Sequence, residues 1–379
     1  MFGVQKKILH ILVLPQLAGS QRVALDILRS LPDDEFEKHV LFSTEIDGIK
    51  RQECQQAFEG AGVKVHYSKN LKRSICLSDL PALFEIYRMC RRNRYDIVHT
   101  HSTKPGIIGR IAATLAQVPC VIHTVHGLAF HKFVKFPRWQ FYWLCEMVAS
   151  LFCDRIVLVN KYYLRYFKWF RKKTTTIYNG VDFSLFPPIV PISDRINREP
   201  LKILSVGRVD FQKDPLTLLK AAQIVIRKEP KVQFTIVGEG ELYQDCVQFI
   251  AMHGLSANIT MAGWHNDVQL FYMNHDIFAL TSIYESFGLI FVEAGYHMLP
   301  VVATNVEGIP EVVLDGETGL LAEAKNVERI AENILYLMVD SRMRTEMGIK
   351  AHDWVISHFS TEEMCRKYLD LYRACCVRS

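Results

Sequence analysis

Long uninterrupted apolar runs, paired cysteines and internal repeats are all missing from this sequence. No stretch reaches the roughly 18 apolar residues that a membrane span requires, so any membrane contact is expected to be peripheral. Lys6-Lys7 followed by ILHILVLPQLAG imitates a signal peptide, but His10, Pro15 and Gln16 interrupt the short run, which reads as a first strand. The ten cysteines have no repeated spacing and no Cys-X-X-Cys pair. That argues against a disulfide framework or a zinc ribbon and fits a reducing cytoplasm. What is present in quantity is apolar: 49 % of 379 residues, enough for two ordinary α/β domains with buried cores.

Charge is unevenly spread. The net charge is +5, yet the first 190 residues carry an excess of twelve basic side chains and the remainder an excess of seven acidic ones. Attraction to anionic lipid or to a pyrophosphate carrier would use such a field, nucleic acid is the rival partner, and an uneven surface without a partner stays open.

Strand-like and helix-like patterns alternate along both halves. Apolar strands are expected at Lys7–Leu14, His39–Ser43, Val63–Tyr67, Ile97–His101, Val121–Val125, Asp154–Asn160 and Thr175–Tyr178, with helices such as 21–31, 80–93 and 105–116 between them. This alternation implies parallel sheets with ligands gathered at the carboxyl ends of the strands. PPIVPISDRINREP lacks apolar period and reads as a linker, after which Leu201–Val206 opens a second sheet. Further strands are expected at Phe234–Gly238, Ile259–Ala262 and Val301–Ala303, and Gly316 with Gly319 predicts a hairpin-like turn. The expected domains are 1–187, a linker over 188–200, 201–360, and a final segment 361–379.

The organising stretch is TSIYESFGLIFVEAGYHMLPVVATNVEG, residues 281–308. A buried strand ends at Thr281, a loop follows, and Gly288 opens an apolar helix running to about His297. A helix N-terminus offers unpaired N–H groups and partial positive charge, which suits a phosphate beside Ser286, Phe287, Gly288 and Leu289. Glu293, inside the helix, would hold ribose hydroxyls, and Glu285, in the loop, would reach the group beyond the phosphates. Upstream, GRVDFQK at 207–213 sets Arg208 and Lys213 in a strand-to-helix loop, where a guanidinium fork and a mobile ammonium can balance charge on a leaving diphosphate. Gly238 and Gly240 permit close backbone approach around a base, although no complete Gly-X-Gly-X-X-Gly is present.

These motifs resemble the retaining glycosyltransferases of family 4 nearly end to end. ESFGLIFVE matches the family's E-x7-E motif, VGRVDFQKDP precedes it and NVEGIPEVVLDGETGLL follows it, while HTHSTKPGIIGRIAA and HTVHGLAFH are similar to bacterial enzymes of capsular, exopolysaccharide or lipopolysaccharide synthesis. The resemblance implies an α/β GT-B fold of two facing Rossmann-like domains with parallel sheets, the segment 361–379 returning to the first. It implies transfer of a sugar from a nucleoside diphosphate sugar, a UDP-sugar favoured, to a hydroxyl of a lipid-linked or glycan acceptor with retention. Arg208 and Lys213 would stabilise the leaving group, Glu293 would hold the ribose, Glu285 would position the donor sugar, and His126 would stand beside the anomeric centre. Of the family's usual pair of glycines in the first loop only Gly19 is present, after Ala18.

No metal or other cofactor is expected, because Asp-X-Asp is absent and Arg208 and Lys213 can carry the diphosphate charge. His99 and His101 have a ligand-like spacing among the five histidines of 99–131, yet no carboxylate or cysteine nearby completes a site. From Phe130 to Lys173 aromatic and basic residues interleave. Lys161, Arg165, Lys168 and Lys172 recur at helical spacing, so a helix with one cationic face, suited to anionic membrane at the inner face of the cell, is expected beside the alternative of a solvated core helix. Nucleic acid is not expected as a partner. The rivals are a sugar-nucleotide epimerase of the same architecture and a basic peripheral membrane or nucleic-acid binding protein.

Overall fold

A computed structural model describes residues 5–72, 79–190 and 198–376 of the chain. It comprises two compact units, one running to Gly180 and taken up again from Thr361, the other spanning Val181–Ser360. Of the linker expected over 188–200, residues 191–197 lie outside the described part.

The first unit is built on seven parallel strands: β1 (Lys6–Ile11), β2 (Phe36–Ser43), β3 (Lys64–Ser68), β4 (Ile97–His101), β5 (Cys120–Val125), β6 (Arg155–Leu158) and β7 (Thr174–Thr176), in the order β3-β2-β1-β4-β5-β6-β7. Helices cover both faces, which is why the central strands β1, β4 and β5 are buried on successive residues instead of alternate ones. Ile8 joins the core that packs helix Ser20–Ser30, while Leu9 and Ile11 point into the core behind helix Thr103–Leu115. The closing helix, Thr361–Cys376, buries Met364, Cys365, Tyr368, Tyr372 and Cys375 in the first of these cores. Their spacing of three and four residues makes one continuous face.

The second unit repeats the plan with β8 (Lys202–Val206), β9 (Gln233–Val237), β10 (Ile259–Gly263), β11 (Ile277–Leu280), β12 (Val301–Thr304) and β13 (Gly319–Ala322), all parallel, in the order β10-β9-β8-β11-β12-β13. In each sheet the order reverses beside the first strand, between β1 and β4 and between β8 and β11. Loops leaving such a reversal point diverge and open a crevice at the strand ends.

Two local expectations are corrected. The Gly316 amide donates to the Gly319 carbonyl at 2.8 Å, so the turn is tight, but it leads into β13, which runs parallel to β12 and forms no hairpin with what precedes it. The basic segment 161–173 is not one amphipathic helix. It folds as two short 3-10 pieces, Tyr162–Arg165 and Lys168–Lys173, because Phe167 turns into the core and Phe170 has non-helical backbone angles. Lys161, Arg165, Lys168 and Lys172 therefore share no single helical face.

Candidate active site

The loop after β8 and the loop after β11 are laced together at the reversal point of the second sheet. The Ile283 amide donates to the Gln212 carbonyl at 2.8 Å, the Gln212 side-chain amide donates to the Tyr284 carbonyl at 3.2 Å, and the Thr281 hydroxyl donates to the Asp214 carbonyl at 2.8 Å. Asp210 shapes the first loop by accepting from the Lys213 amide at 3.1 Å, a local side-chain-to-backbone turn of the kind aspartate favours. These bonds bring the Lys213 ammonium onto the Glu285 carboxylate as an ion pair, both side chains about nine-tenths buried. Arg208 stands at the rim, its guanidinium exposed but held by Asp210 at 2.9 Å and by Gln212 at 2.7 Å.

The helix downstream of Glu285 runs from Leu289 to Tyr296 with Gly288 at its N-cap. Gly288 has φ +80°, and a Cβ there would lie 2.5 Å from the Phe291 ring, so glycine is required on both conformational and steric grounds. Of the residues expected to line a phosphate, Phe287 is buried against Phe359, 5.3 Å between ring centroids. Its side chain belongs to the core, so Phe287 can offer a ligand only its backbone. Glu293 is the fifth residue of this helix and half-buried. It stands against Tyr272, whose phenol is pushed well above its ordinary range by burial and then by the neighbouring Glu293 carboxylate.

The glycines of the β9 loop act on their neighbours. A Cβ on Gly238 would fall 1.9 Å from the Gly207 carbonyl oxygen and one on Gly240 would fall 2.4 Å from that of Val209. The close approach is between two backbone segments, and it is what holds Gly207 and Arg208 in place.

In the first unit Gly19 precedes helix Ser20–Ser30 with φ +38° and open space around its missing Cβ, so conformation and not crowding calls for glycine there. His126 follows β5 with its ring half-buried and stacked on His101, 5.2 Å between centroids. Nδ1 of His101 lies 2.9 Å from Nε2 of His126, and Nε2 of His101 lies 3.1 Å from Nδ1 of His10. Desolvation pushes His126 down to about 4 and His10 to about 3, and it drives His99 and His101 well below the ordinary imidazole range, so all four rings are neutral at pH 7. Nitrogens of His10, His99 and His101 lie within 4.8 Å of one another, close enough for one metal ion. Each of these nitrogens is already engaged in a hydrogen bond inside the fold. Behind them, Glu146 lies 3.7 Å from Nε2 of His123 and is paired at 2.8 Å with buried Arg110, a carboxylate that spacing alone did not reveal.

Three participants went unrecognised in the sequence: Gln212 and Asp210, which shape the basic loop, and Tyr272 beside Glu293. Asp-X-X-Lys is a legible turn signal. Tyr272 carries none, since it reaches Glu293 only through the fold.

The chain matches the family model described as "Glycosyltransferase Family 4" over residues 17–185 and the one described as "Glycosyl transferases group 1" over residues 191–354. It is 31% identical to the UDP-Gal:alpha-D-GlcNAc-diphosphoundecaprenol alpha-1,3-galactosyltransferase of Escherichia coli, across 97% of this chain and 96% of that protein. It is 26% identical to the capsular polysaccharide biosynthesis glycosyltransferase CapM of Staphylococcus aureus, across 80% and 83% of the two chains. Among solved structures, HepE of Anabaena in complex with UDP superposes with a TM-score of 0.80 at 20% identity, over 98% of this chain and all of that one. With both parallel sheets in place and the basic loop tied to the first glutamate of E-x7-E, sequence and fold agree: this chain belongs to the family 4 glycosyltransferases of GT-B fold.

Proposed function

We propose that the protein moves a sugar from a UDP-sugar to a hydroxyl of a lipid-linked saccharide, with retention at the anomeric carbon and without a metal ion. The observation that carries this reading is the Lys213–Glu285 pair at the strand-order reversal of the second sheet. It puts a cation for the leaving diphosphate and a carboxylate for the sugar hydroxyls side by side. Arg208 supplies the second cation, and the first-turn amides after Ser286 and Phe287 meet phosphate oxygens. Glu293 takes the ribose hydroxyls, Gly19 lets the first loop approach the phosphates, and His126 supports the reacting sugar. As the C1–O bond to the diphosphate breaks, the acceptor oxygen bonds to C1 and its proton passes to the departing phosphate. No protein nucleophile is required.

The choice of acceptor follows from the first unit and from the relative that uses a diphosphoundecaprenol-linked sugar. A cavity of about 840 Å3 opens between the loops after β1 and β4 and helix Arg138–Ala149. Its wall is mostly apolar, with Leu14, Ile107, Ile108 and Phe141, and Lys104, paired with Asp79 at 2.6 Å, lies at its side. Such a wall accommodates the first isoprene units of a carrier, with the ammonium near its diphosphate. The same unit exposes Phe136, Leu144, Leu151 and Trp169, and the basic segment 168–173 adds Lys168, Arg171 and Lys172 around Trp169. Aromatic side chains set among cations suit an anionic bilayer surface at the inner face of the membrane, nucleic acid having no such use for exposed leucines. Among the described residues no helix is long and apolar enough to cross a membrane.

The test is transfer from a panel of UDP-sugars to a detergent-solubilised undecaprenyl-diphosphate sugar in the presence of EDTA. Product formation is expected to survive the chelator. Activity that is lost to EDTA and restored by Mg²⁺ or Mn²⁺ would remove the leaving-group role of Arg208 and Lys213. A new nucleotide sugar formed from donor alone would make the protein an epimerase.

A further inference from the structure

A continuous line of hydrogen bonds runs through the buried centre of the first unit, from His126 to the closing helix. His126 Nε2 lies 2.9 Å from His101 Nδ1, His101 Nε2 lies 3.1 Å from His10 Nδ1, and His10 Nε2 lies 3.1 Å from the Tyr372 hydroxyl. The line continues from that hydroxyl to His99 Nδ1 at 2.6 Å and from His99 Nε2 to the Thr124 hydroxyl at 2.7 Å. His10, His99, His101, Thr124 and Tyr372 are fully buried, so water cannot take any of these places.

A neutral imidazole has one N–H and one lone pair, so each ring passes a fixed direction to the next. Tyr372 has one proton and two imidazole neighbours, so it can donate to only one of them. O–H donors make shorter hydrogen bonds than N–H donors. Of the two contacts at the hydroxyl, the shorter, 2.6 Å, is assigned to Tyr372 donating to His99 Nδ1 and the longer, 3.1 Å, to His10 Nε2–H donating to Tyr372; His99 Nε2–H then donates to the Thr124 hydroxyl at 2.7 Å, a short bond for an N–H donor. The rest is forced. His10 Nδ1 accepts from His101 Nε2–H, His101 Nδ1 accepts from His126 Nε2–H, and His126 is left with a bare lone pair on Nδ1.

We propose that Tyr372, through His10 and His101, fixes the tautomer of His126 so that its Nδ1 accepts a hydrogen bond from a sugar hydroxyl. His10, His101 and Tyr372 are then positioning residues acting through His126, and the inference rests on the role given to His126 above. It gives the closing helix, through Tyr372, a task beyond packing.

The test labels histidine with 15N in the full-length protein and reads each ring's tautomer from long-range 1H–15N correlation. Wild type is expected to show His126 as the Nε2–H form, and the Nδ1–H form in wild type would overturn the proposal without any variant. Tyr372→Phe is expected to convert His126 wholly or partly to Nδ1–H and to lower kcat about tenfold, roughly one hydrogen bond's worth, with donor KM unchanged. Tyr95→Phe removes another buried hydroxyl, 3.1 Å from His39 and outside the line, and is expected to change neither readout. An unchanged His126 tautomer in folded Tyr372→Phe would overturn the proposal, as would one equivalent of zinc bound at His10, His99 and His101 in the purified protein. If the tautomer shifts as stated but His126→Ala keeps full kcat, the line of bonds stands and the role of His126 falls.

Discussion

Replacing Glu285 with glutamine separates two tasks that the Lys213–Glu285 pair joins. In the free protein the carboxylate neutralises an ammonium that the donor diphosphate would otherwise have to itself. Glutamine keeps the shape and an acceptor oxygen but gives up the charge, so Lys213 is left more available to phosphate. Binding of UDP alone is expected to hold or tighten. Placement of the sugar is expected to suffer, because a charge-assisted hydrogen bond at a site about nine-tenths buried contributes about 1.5–3 kcal/mol, and alignment counts most at the transition state. That range corresponds to a fall in kcat of about ten- to a hundredfold, with donor KM little changed. Calorimetric titration with UDP and steady-state kinetics with the sugar donor, on protein whose melting temperature has been checked, give both quantities. Weaker UDP binding together with an intact kcat would refute the argument, since Glu285 would then be holding the nucleotide instead of the sugar.

Glu293→Gln is expected to raise the Kd for donor about tenfold with a smaller effect on kcat, because the ribose contact proposed for Glu293 would be made in the ground state and retained; calorimetry on the folded variant checks it. Gly238→Ala would drive a methyl group into the Gly207 carbonyl, so a loss of about 1–3 kcal/mol in denaturant unfolding is expected together with weaker donor binding as Arg208 is displaced. His10 and His126 have folded pKa values of about 3 and about 4, below the unfolded value of 6.5, so the unfolded chain takes up protons that the folded one refuses. Stability present above pH 6.5 is therefore expected to fall toward pH 4, by about 1.4 kcal/mol per pH unit for each such histidine, and equal denaturant midpoints at pH 7 and pH 5 would refute this.

The loops that bring Lys213 and Glu285 together were legible because their parts are local. A strand end, a glycine, a basic loop and a helix N-terminus each leave a signature within about ten residues, and the reversal of strand order between β8 and β11 brings them together without any further device. The strand ends drifted by a few residues and the two parallel sheets came out as expected. What misled was periodicity read without its interruptions. Lys161, Arg165, Lys168 and Lys172 keep helical spacing, but Phe167 and Tyr163 are drawn into the core behind them, and burial of two aromatic rings outweighs the continuity of a helix that short.

The histidines mark the opposite limit. His99 and His101 attract notice as His-X-His, and spacing then suggests a metal ion, yet in the fold both rings of that pair face other side chains that can donate or accept. One partner, His10, sits in an apolar strand as if it were core, and the other, Tyr372, comes from the last helix, 273 residues away along the chain from His99. A buried neutral imidazole and a ligated one have the same sequence neighbours. Only partners contributed by β1 and the closing helix decide between them, because a lone pair already filled by an N–H or O–H is closed to a metal ion unless that bond is broken. The same reasoning explains why polar residues at these strand ends are tolerated at all. Each would cost about 1–3 kcal/mol if left unpaired in the core, and joining them in one line engages both nitrogens of His10, His99 and His101.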